Sequence, residues 1–293
     1  MSNKLRVAIL GTGNIGTDLL VKVLRSPWLE CRLFAGRNLS SPGMTKASQL
    51  GVAVSAAGLK AIQTQAPELD LVFDATSAAD HVLHAPILRE LGLLAVDLTP
   101  AKVGRMCVPA VNLEACLAEP NVNMVSCGGQ ASIPLAWAIA QASSQVEYFE
   151  TVSSIASRSA GPATRINLDE YLRTTEEGLR SFSGCPRTKA ILIVNPAQPC
   201  VHMQTTVFAR VAQPDLPAIR ARINTVVGRL RTYIPGYQLL LEPILEHGRI
   251  AVIVRVDGRG DFLPKYAGNL DIINCAAVAV ADAHARRRNG ATS

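Results

Sequence analysis

The sequence predicts an α/β protein, a doubly wound parallel sheet joined to a second, α+β domain. Three observations carry that expectation. Apolar strand-like runs alternate with helix-period segments over the first 126 residues, the pattern of a parallel sheet covered on both faces. A glycine-rich turn, GTGNIG (11–16), stands directly between the first strand and the first helix. Beyond residue 127 longer strands alternate apolar and polar positions, as in a sheet with one solvent-facing side.

The elements follow in order. LRVAIL (5–10) reads as a buried strand, and TDLLVKVLRS carries apolar residues at helical spacing. ECRLFAG (30–36), LDLVFDAT (69–76) and LLAVDLTP (93–100) are strands, and HVLHAPILRELG is a helix closed by glycine. NVNMVSC (121–127) is a further strand at the edge or end of the sheet, leading into the helix IPLAWAIA. In the second domain EYFETVSSIASRS (147–159), TKAILIVNPA (188–197), VHMQTTVFARVA (201–212) and RIAVIVRVDGRG (249–260) are strands, and LPAIRARINTVVGRLRT (216–232) is a helix. AGNLDIINCAAVAVADAHARRR is a long helix expected to return to the first domain. The expected division is therefore 1–126, completed by 268–293, and 127–267.

Of the 293 residues, 48% are hydrophobic and 18% charged, which suits a soluble enzyme with ample core. No apolar run reaches membrane-spanning length, and the apolar part of the start is too short for a signal peptide. A cytoplasmic location is expected. Seven scattered cysteines, without a C-x-x-C pair, support neither a disulfide framework nor a zinc site. His81 and His84 lie three apart on a helix without further ligands, so no metal is expected. The net charge is +6, but aromatic residues make up 4% and no basic stripe runs along a helix, so no nucleic-acid partner is expected.

Gly11, Gly13 and Gly16 permit a tight turn and bring the backbone close to a pyrophosphate on the helix N-terminus, the mark of a dinucleotide site. An acidic residue usually holds the ribose at the end of the second strand. Here Arg37 and Asn38 stand there. Two readings of Arg37 stay open: a partner for a 2′-phosphate, which admits NADP beside NAD, or an exposed loop arginine.

Cys127 stands in a glycine-rich turn ahead of a helix. Backbone N–H groups at such a turn favour a thiolate. A thiolate beside a nicotinamide suggests aldehyde oxidation: sulfur adds to the carbonyl, hydride leaves, and a thioester remains for a second nucleophile. The other cysteines, Cys31, Cys107, Cys116, Cys185, Cys200 and Cys275, lack a comparable setting and are expected to be packing residues.

The fragments GTGNIGTDLL, FDATSA, VDLTPAKVG, NVNMVSCGGQASIP, RSAGPATRINLDEY, NPAQP and LPKYAGNLDI resemble the acylating acetaldehyde dehydrogenases of aromatic-degradation (meta-cleavage) pathways, and the likeness runs through nearly the whole chain. The resemblance implies a Rossmann-type domain, a catalytic and dimerisation domain, and a cytoplasmic homodimer. It implies the conversion of aldehyde, coenzyme A and NAD+ to acyl-CoA and NADH. A 4-hydroxy-2-oxovalerate aldolase partner that channels the aldehyde is also implied. It carries the nucleophile onto Cys127 and dinucleotide contacts onto Thr12, Gly13, Asn14 and Ile15. Further contacts fall on Ser159, Ala160, Gly161, Pro162, Ala163, Thr164, Arg165, Ile166 and Asn167, and on Asn269.

One departure stands out. Where the family has Arg-Asp-Thr after a methionine, this chain has Gln204, Thr205 and Thr206. Thr205 occupies the acidic position, and a hydroxyl can only exchange hydrogen bonds. His202 is close in sequence, but on an extended strand it faces the side opposite Thr205. Two other readings remain: a semialdehyde dehydrogenase that uses phosphate as acyl acceptor, and a weakly active binding or scaffolding partner of an aldolase.

Overall fold

The computed structural model describes residues 4–290, with the side chains of Pro162 and Ala163 outside the description. Residues 1–3 and 291–293 of the expected domain ranges lie outside the described residues. Seven strands form a first sheet: Leu5–Leu10 (β1), Leu29–Ala35 (β2), Val54–Ser55 (β3), Leu71–Asp74 (β4), Leu94–Asp97 (β5), Arg105–Met106 (β6) and Asn121–Asn123 (β7). Their order is β3-β2-β1-β4-β5-β7-β6, and every pairing is parallel. Asn14–Arg25 (α1), Pro42–Gln49 (α2), Leu59–Gln65 (α3), Ala78–Glu90 (α4) and Pro109–Cys116 (α5) connect them.

Side-chain alternation along β1 sorts the two faces. Val7 and Ile9 join Leu19, Leu20 and Val23 of α1 in one core cluster. Ala8 and Leu10 join Ile62 of α3 and Leu88 of α4 in another. The sheet is thus covered on both sides, which explains why its strands read as continuous apolar runs. The doubly wound parallel sheet expected from the sequence is the one observed.

Cys127–Gln141 (α6) leads to a second sheet. Its strands are Val146–Ala156 (β8), Thr188–Asn195 (β9), Met203–Val211 (β10), Tyr237–Glu246 (β11) and Arg249–Val256 (β12), in the order β11-β12-β10-β8-β9. Only the β8–β9 pair is parallel. Pro162–Ile166 (α7), Leu168–Ser183 (α8) and Leu216–Tyr233 (α9) complete this part. The inner face buries Phe149, Met203, Val207 and Val252 against Ile133 and Ala136 of α6 and Ile219 and Ile223 of α9. On the outer face Ile191 and Ile193 of β9 are exposed hydrophobics.

Gly268–Arg288 (α10) returns to the first sheet, where Ile273, Ala276, Ala277 and Val280 pack with Ile9 and Leu19. Charge locks this contact. The Lys22 ammonium on α1 lies 2.7 Å from Asp18, 2.7 Å from Asp271 of α10 and 3.1 Å from Asp261. Burial would lower the Lys22 pKa, but Asp18 and Asp271 more than offset it and hold it above its ordinary value. Asp18, Asp261 and Asp271 are the one acidic group among the described residues close enough to share a metal, and a lysine ammonium sits among them. No helix among the described residues is long and apolar enough to cross a membrane.

Several elements went unassigned in the sequence. Helix α8 begins at Leu168, directly after the short helix α7 and its Asn167 N-cap, so no turn-forming glycine or proline marks its start. Strand β11 is an edge strand with Pro243 inside it and two register irregularities, which blurs its alternation. The expected strand 147–159 ends at Ala156, with a 3₁₀ turn over Ser157–Ser159. The expected strand 121–127 stops at Asn123, and Cys127 opens a helix instead.

Replacing Lys22 by alanine leaves three buried carboxylates without their shared counter-charge. Urea unfolding of Lys22→Ala is expected to show a loss of about 3–5 kcal/mol. Arg32→Ala, which removes only the exposed pair with Glu30, stays within about 1 kcal/mol. Equal losses would show that the buried cluster does not hold α10.

Candidate active site

A groove of about 800 Å³ opens at the carboxyl ends of β1 and β4, where the strand order reverses. This is where doubly wound sheets bind ligands. The three glycines of the first turn divide the work. Gly11 has φ +108°, and a Cβ there would lie 2.5 Å from the Ala75 carbonyl oxygen. A Cβ on Gly16 would lie 1.9 Å from the Gly11 oxygen. Those two are needed for packing. Gly13, the N-cap of α1, has nothing within 4 Å of its Cβ position and no side-chain cap. The first N–H groups of α1 therefore remain available to an anion.

Of the residues the sequence singled out, Gly11, Thr12, Gly13, Asn14, Ile15, Arg37, Ser159, Gly161, Thr164, Ile166 and Asn167 line this groove. Arg37 and Asn38 are exposed at the end of β2. Gly16, Ala160 and Arg165 stand outside the lining. Arg165 turns back to the Ala160 carbonyl (3.0 Å) and the Ser157 hydroxyl (2.9 Å). The side chains of Pro162 and Ala163 lie outside the described ones.

A buried polar cluster that the spacing of His81 and His84 alone does not reveal lies beside the groove, with His84 in its lining. One oxygen of Asp74, at the end of β4, accepts from Nδ1 of both His81 and His84 at 2.8 Å. Burial opposes ionisation of Asp74, but the two histidines outweigh it and hold its carboxyl well below the usual range. Asp97, at the end of β5, is pushed up to about 7 by burial, against the pull of His81, Thr99 and Asn123.

A smaller cavity of about 70 Å³ holds the cysteine. Ile15, Thr76, Thr164, Asn167 and Leu270 line both cavities, so the two adjoin. Cys127 is the first residue of α6, delivered by a strained turn. Val125 has φ +63°, a conformation rare for a β-branched residue. Asn123 clamps it: its Oδ1 accepts from the Val125 N–H (2.9 Å), and its Nδ2 donates to Asp97 (2.7 Å) and to the Thr99 carbonyl (2.9 Å). Ser126 caps α6 by accepting from the Gly129 N–H (2.9 Å), and its hydroxyl pairs with Thr175 of α8 at 2.7 Å.

Half-buried Cys127 has its Sγ 3.9 Å from the Tyr171 hydroxyl. Burial pushes the thiol up to about 11, opposed by Tyr171 and by the N–H groups of Gly128 and Cys127 itself. The backbone N–H groups act in the direction expected from the sequence, but they do not decide the outcome. Desolvation of the sulfur is larger. Asn269 lines the same cavity, and its Oδ1, like the Thr99 Oγ1, is buried without a hydrogen-bond partner.

Thr205 sits on β10 behind this cavity rather than in its lining, its hydroxyl 2.9 Å from that of Ser153 on β8. His202 precedes β10 rather than lying on it, its Nδ1 2.6 Å from Asp257. Sequence reasoning missed Thr99, Asn123, Ser153 and Tyr171 as parts of the site. Thr99, Asn123 and Tyr171 stand in family-like fragments that assign them no role, and Ser153 stands in none.

A sequence profile described as "Prokaryotic acetaldehyde dehydrogenase, dimerisation" matches residues 127–264. An acetaldehyde dehydrogenase from Spirochaeta aurantia is 60% identical over 282 residues, 96% of this chain and 95% of that one. An acetaldehyde dehydrogenase from Pectobacterium atrosepticum is 54% identical over 292 residues, 99% of both chains. Among solved structures, aspartate semialdehyde dehydrogenase with NADP from Candida albicans superposes with a TM-score of 0.68 at 12% identity, covering 99% of this chain and 100% of that one. Aspartate semialdehyde dehydrogenase II from Vibrio cholerae gives the same score at 16% identity, covering 98% and 99%. At these identities the likeness is one of fold.

The open space at Gly13 generates a sharp expectation. Gly13→Ala leaves the melting temperature unchanged but weakens dinucleotide binding at least about tenfold, because the methyl group occupies the approach to the helix N-terminus. Calorimetric titration with NAD+ and NADP+ checks it. Unaltered binding would show that the ligand does not approach this turn.

Proposed function

This chain belongs to the acetaldehyde dehydrogenase family, and from that premise we propose that it oxidises a short aldehyde and transfers the acyl group to coenzyme A through a thioester on Cys127. The observation that carries this reading is the cysteine in a small cavity that adjoins the groove of a dinucleotide fold and shares five of its lining residues. The Cys127 sulfur adds to the aldehyde carbonyl, giving a thiohemiacetal. A nicotinamide bound in the groove supplies the hydride acceptor. The acyl thioester left on Cys127 keeps its activation, and the thiol of coenzyme A collects it.

The residues present fit a nicotinamide dinucleotide. Gly13 and the first turn of α1 leave an open anion site, and the unpartnered Asn269 Oδ1 beside the cysteine suits an amide donor. Thr12, Asn14, Ile15, Thr164 and Asn167 would hold the remainder. Arg37, with no carboxylate beside it at the end of β2, supports acceptance of NADP as well as NAD. The chain divides into 1–126 with 268–293, and 127–267. The outer face of the second sheet, where Ile191 and Ile193 are exposed, supports a homodimer. The family resemblance extends the reading to the cytoplasm, to aromatic catabolism and to a 4-hydroxy-2-oxovalerate aldolase that supplies the aldehyde.

Nicotinamide reduction by the full chain is expected with acetaldehyde only when coenzyme A is present, and to vanish in Cys127→Ala while cofactor binding persists. Turnover without Cys127, or with phosphate in place of coenzyme A, contradicts the proposal. In a separate test Arg37→Ala weakens NADP+ binding about tenfold, the loss of one charge-assisted hydrogen bond, and leaves NAD+ within about twofold. Equal changes for both cofactors would remove Arg37 from the 2′-phosphate site.

A further inference from the structure

We propose that the Cys127 thiolate is stabilised by a directed chain of three hydroxyls, Thr205 to Ser153 to Tyr171 to Sγ, with Tyr171 the catalytic member and Ser153 and Thr205 positioning it. The proposal rests on Cys127 being the nucleophile. The groups acting on its sulfur are the Tyr171 hydroxyl and the N–H groups of Gly128 and Cys127, with no charged side chain among them.

The chain has a built geometry. Tyr171 Oη lies 3.9 Å from Sγ, Ser153 acts on the Tyr171 hydroxyl and eases its ionisation against burial, and Ser153 Oγ lies 2.9 Å from Thr205 Oγ1. All three side chains are buried. Gly128 makes the approach possible: a Cβ there would stand 2.0 Å from Oη and 3.2 Å from Ser153 Oγ. Each hydroxyl owns one proton to donate. In the thiol form S–H donates to Oη. When the thiol proton leaves to water, Tyr171 donates to the sulfur, which frees Oη to accept from Ser153, and Ser153 to accept from Thr205. The three dipoles then align on the anion and polarise one another. Burial holds Tyr171 well above its ordinary pKa, so it stays a donor throughout the working pH range. Thr205 thus does by a relayed dipole what a charge would otherwise do, and its hydroxyl, which only exchanges hydrogen bonds, suffices for that role.

The test is the rate of Cys127 alkylation by iodoacetamide in the full chain without aldehyde, followed on the Cys127 peptide by mass spectrometry between about pH 7 and pH 9. Tyr171→Phe keeps the ring and removes the donor. Its rate is expected to fall about fivefold to tenfold at each pH, with the melting temperature unchanged. Thr205→Val, which keeps the volume, gives a smaller fall in the same direction, and Thr205→Ser retains the original rate. An unchanged or faster rate in folded Tyr171→Phe overturns the proposal. So does a loss in Thr205→Ser as large as that in Thr205→Val, which would mark a packing effect. Alkylation needs no aldehyde or coenzyme A, so its outcome is independent of whether the acyl-transfer reading holds.

Discussion

The site depends on the backbone of one residue. Val125 is held at positive φ between the last two residues of a strand's approach and the first turn of a helix. A β-branched side chain does not adopt that conformation without support. Asn123 supplies it from below by bonding the Val125 N–H, and Ser126 supplies it from above by capping α6. Strain of this kind persists only where neighbours over-determine it. Its effect is to turn the chain so that Cys127 opens the helix beside the dinucleotide groove instead of continuing β7 into the core.

The same turn joins the two sheets energetically. Asn123 draws Asp97 and Thr99 from the first sheet, while Ser126 draws Thr175 from α8, which packs with the second. Helix α10 closes the other side through the Lys22 cluster and lends Asn269 to the cysteine's cavity. The sulfur thus sits where three separately stabilised parts meet. Removing water there raises the thiol, but it also strengthens every dipole that faces the anion once it forms. A half-buried nucleophile with few donors is the result.

Much of this was legible in the sequence. The strand, GTGNIG and helix in succession locate the groove, because glycine spacing reports backbone approach directly. Cys127 was legible for the same reason, as a cysteine in a glycine turn ahead of a helix. What could not be read were contacts between residues far apart in the chain: Asn123 with Asp97, Ser153 with Thr205, Tyr171 with Cys127. None has a local period or motif, and each arises from register between strands or from one helix crossing another. The net effect on the thiol is hidden from the sequence for a related reason. A turn's N–H groups are visible in sequence, whereas the depth of burial is a property of the assembled molecule. Strand β11 escaped because an edge strand with a proline and irregular register has no clean alternation.

The most direct measurement is the capture of the acyl group itself. The chain is mixed with acetaldehyde and NAD+ in the absence of coenzyme A, quenched in acid and digested for mass spectrometry. One acetyl group on the peptide carrying Cys127, released when coenzyme A is added before the quench, is the predicted result. Nicotinamide reduction with no acyl group on that peptide, or with the group on another cysteine, would contradict the account.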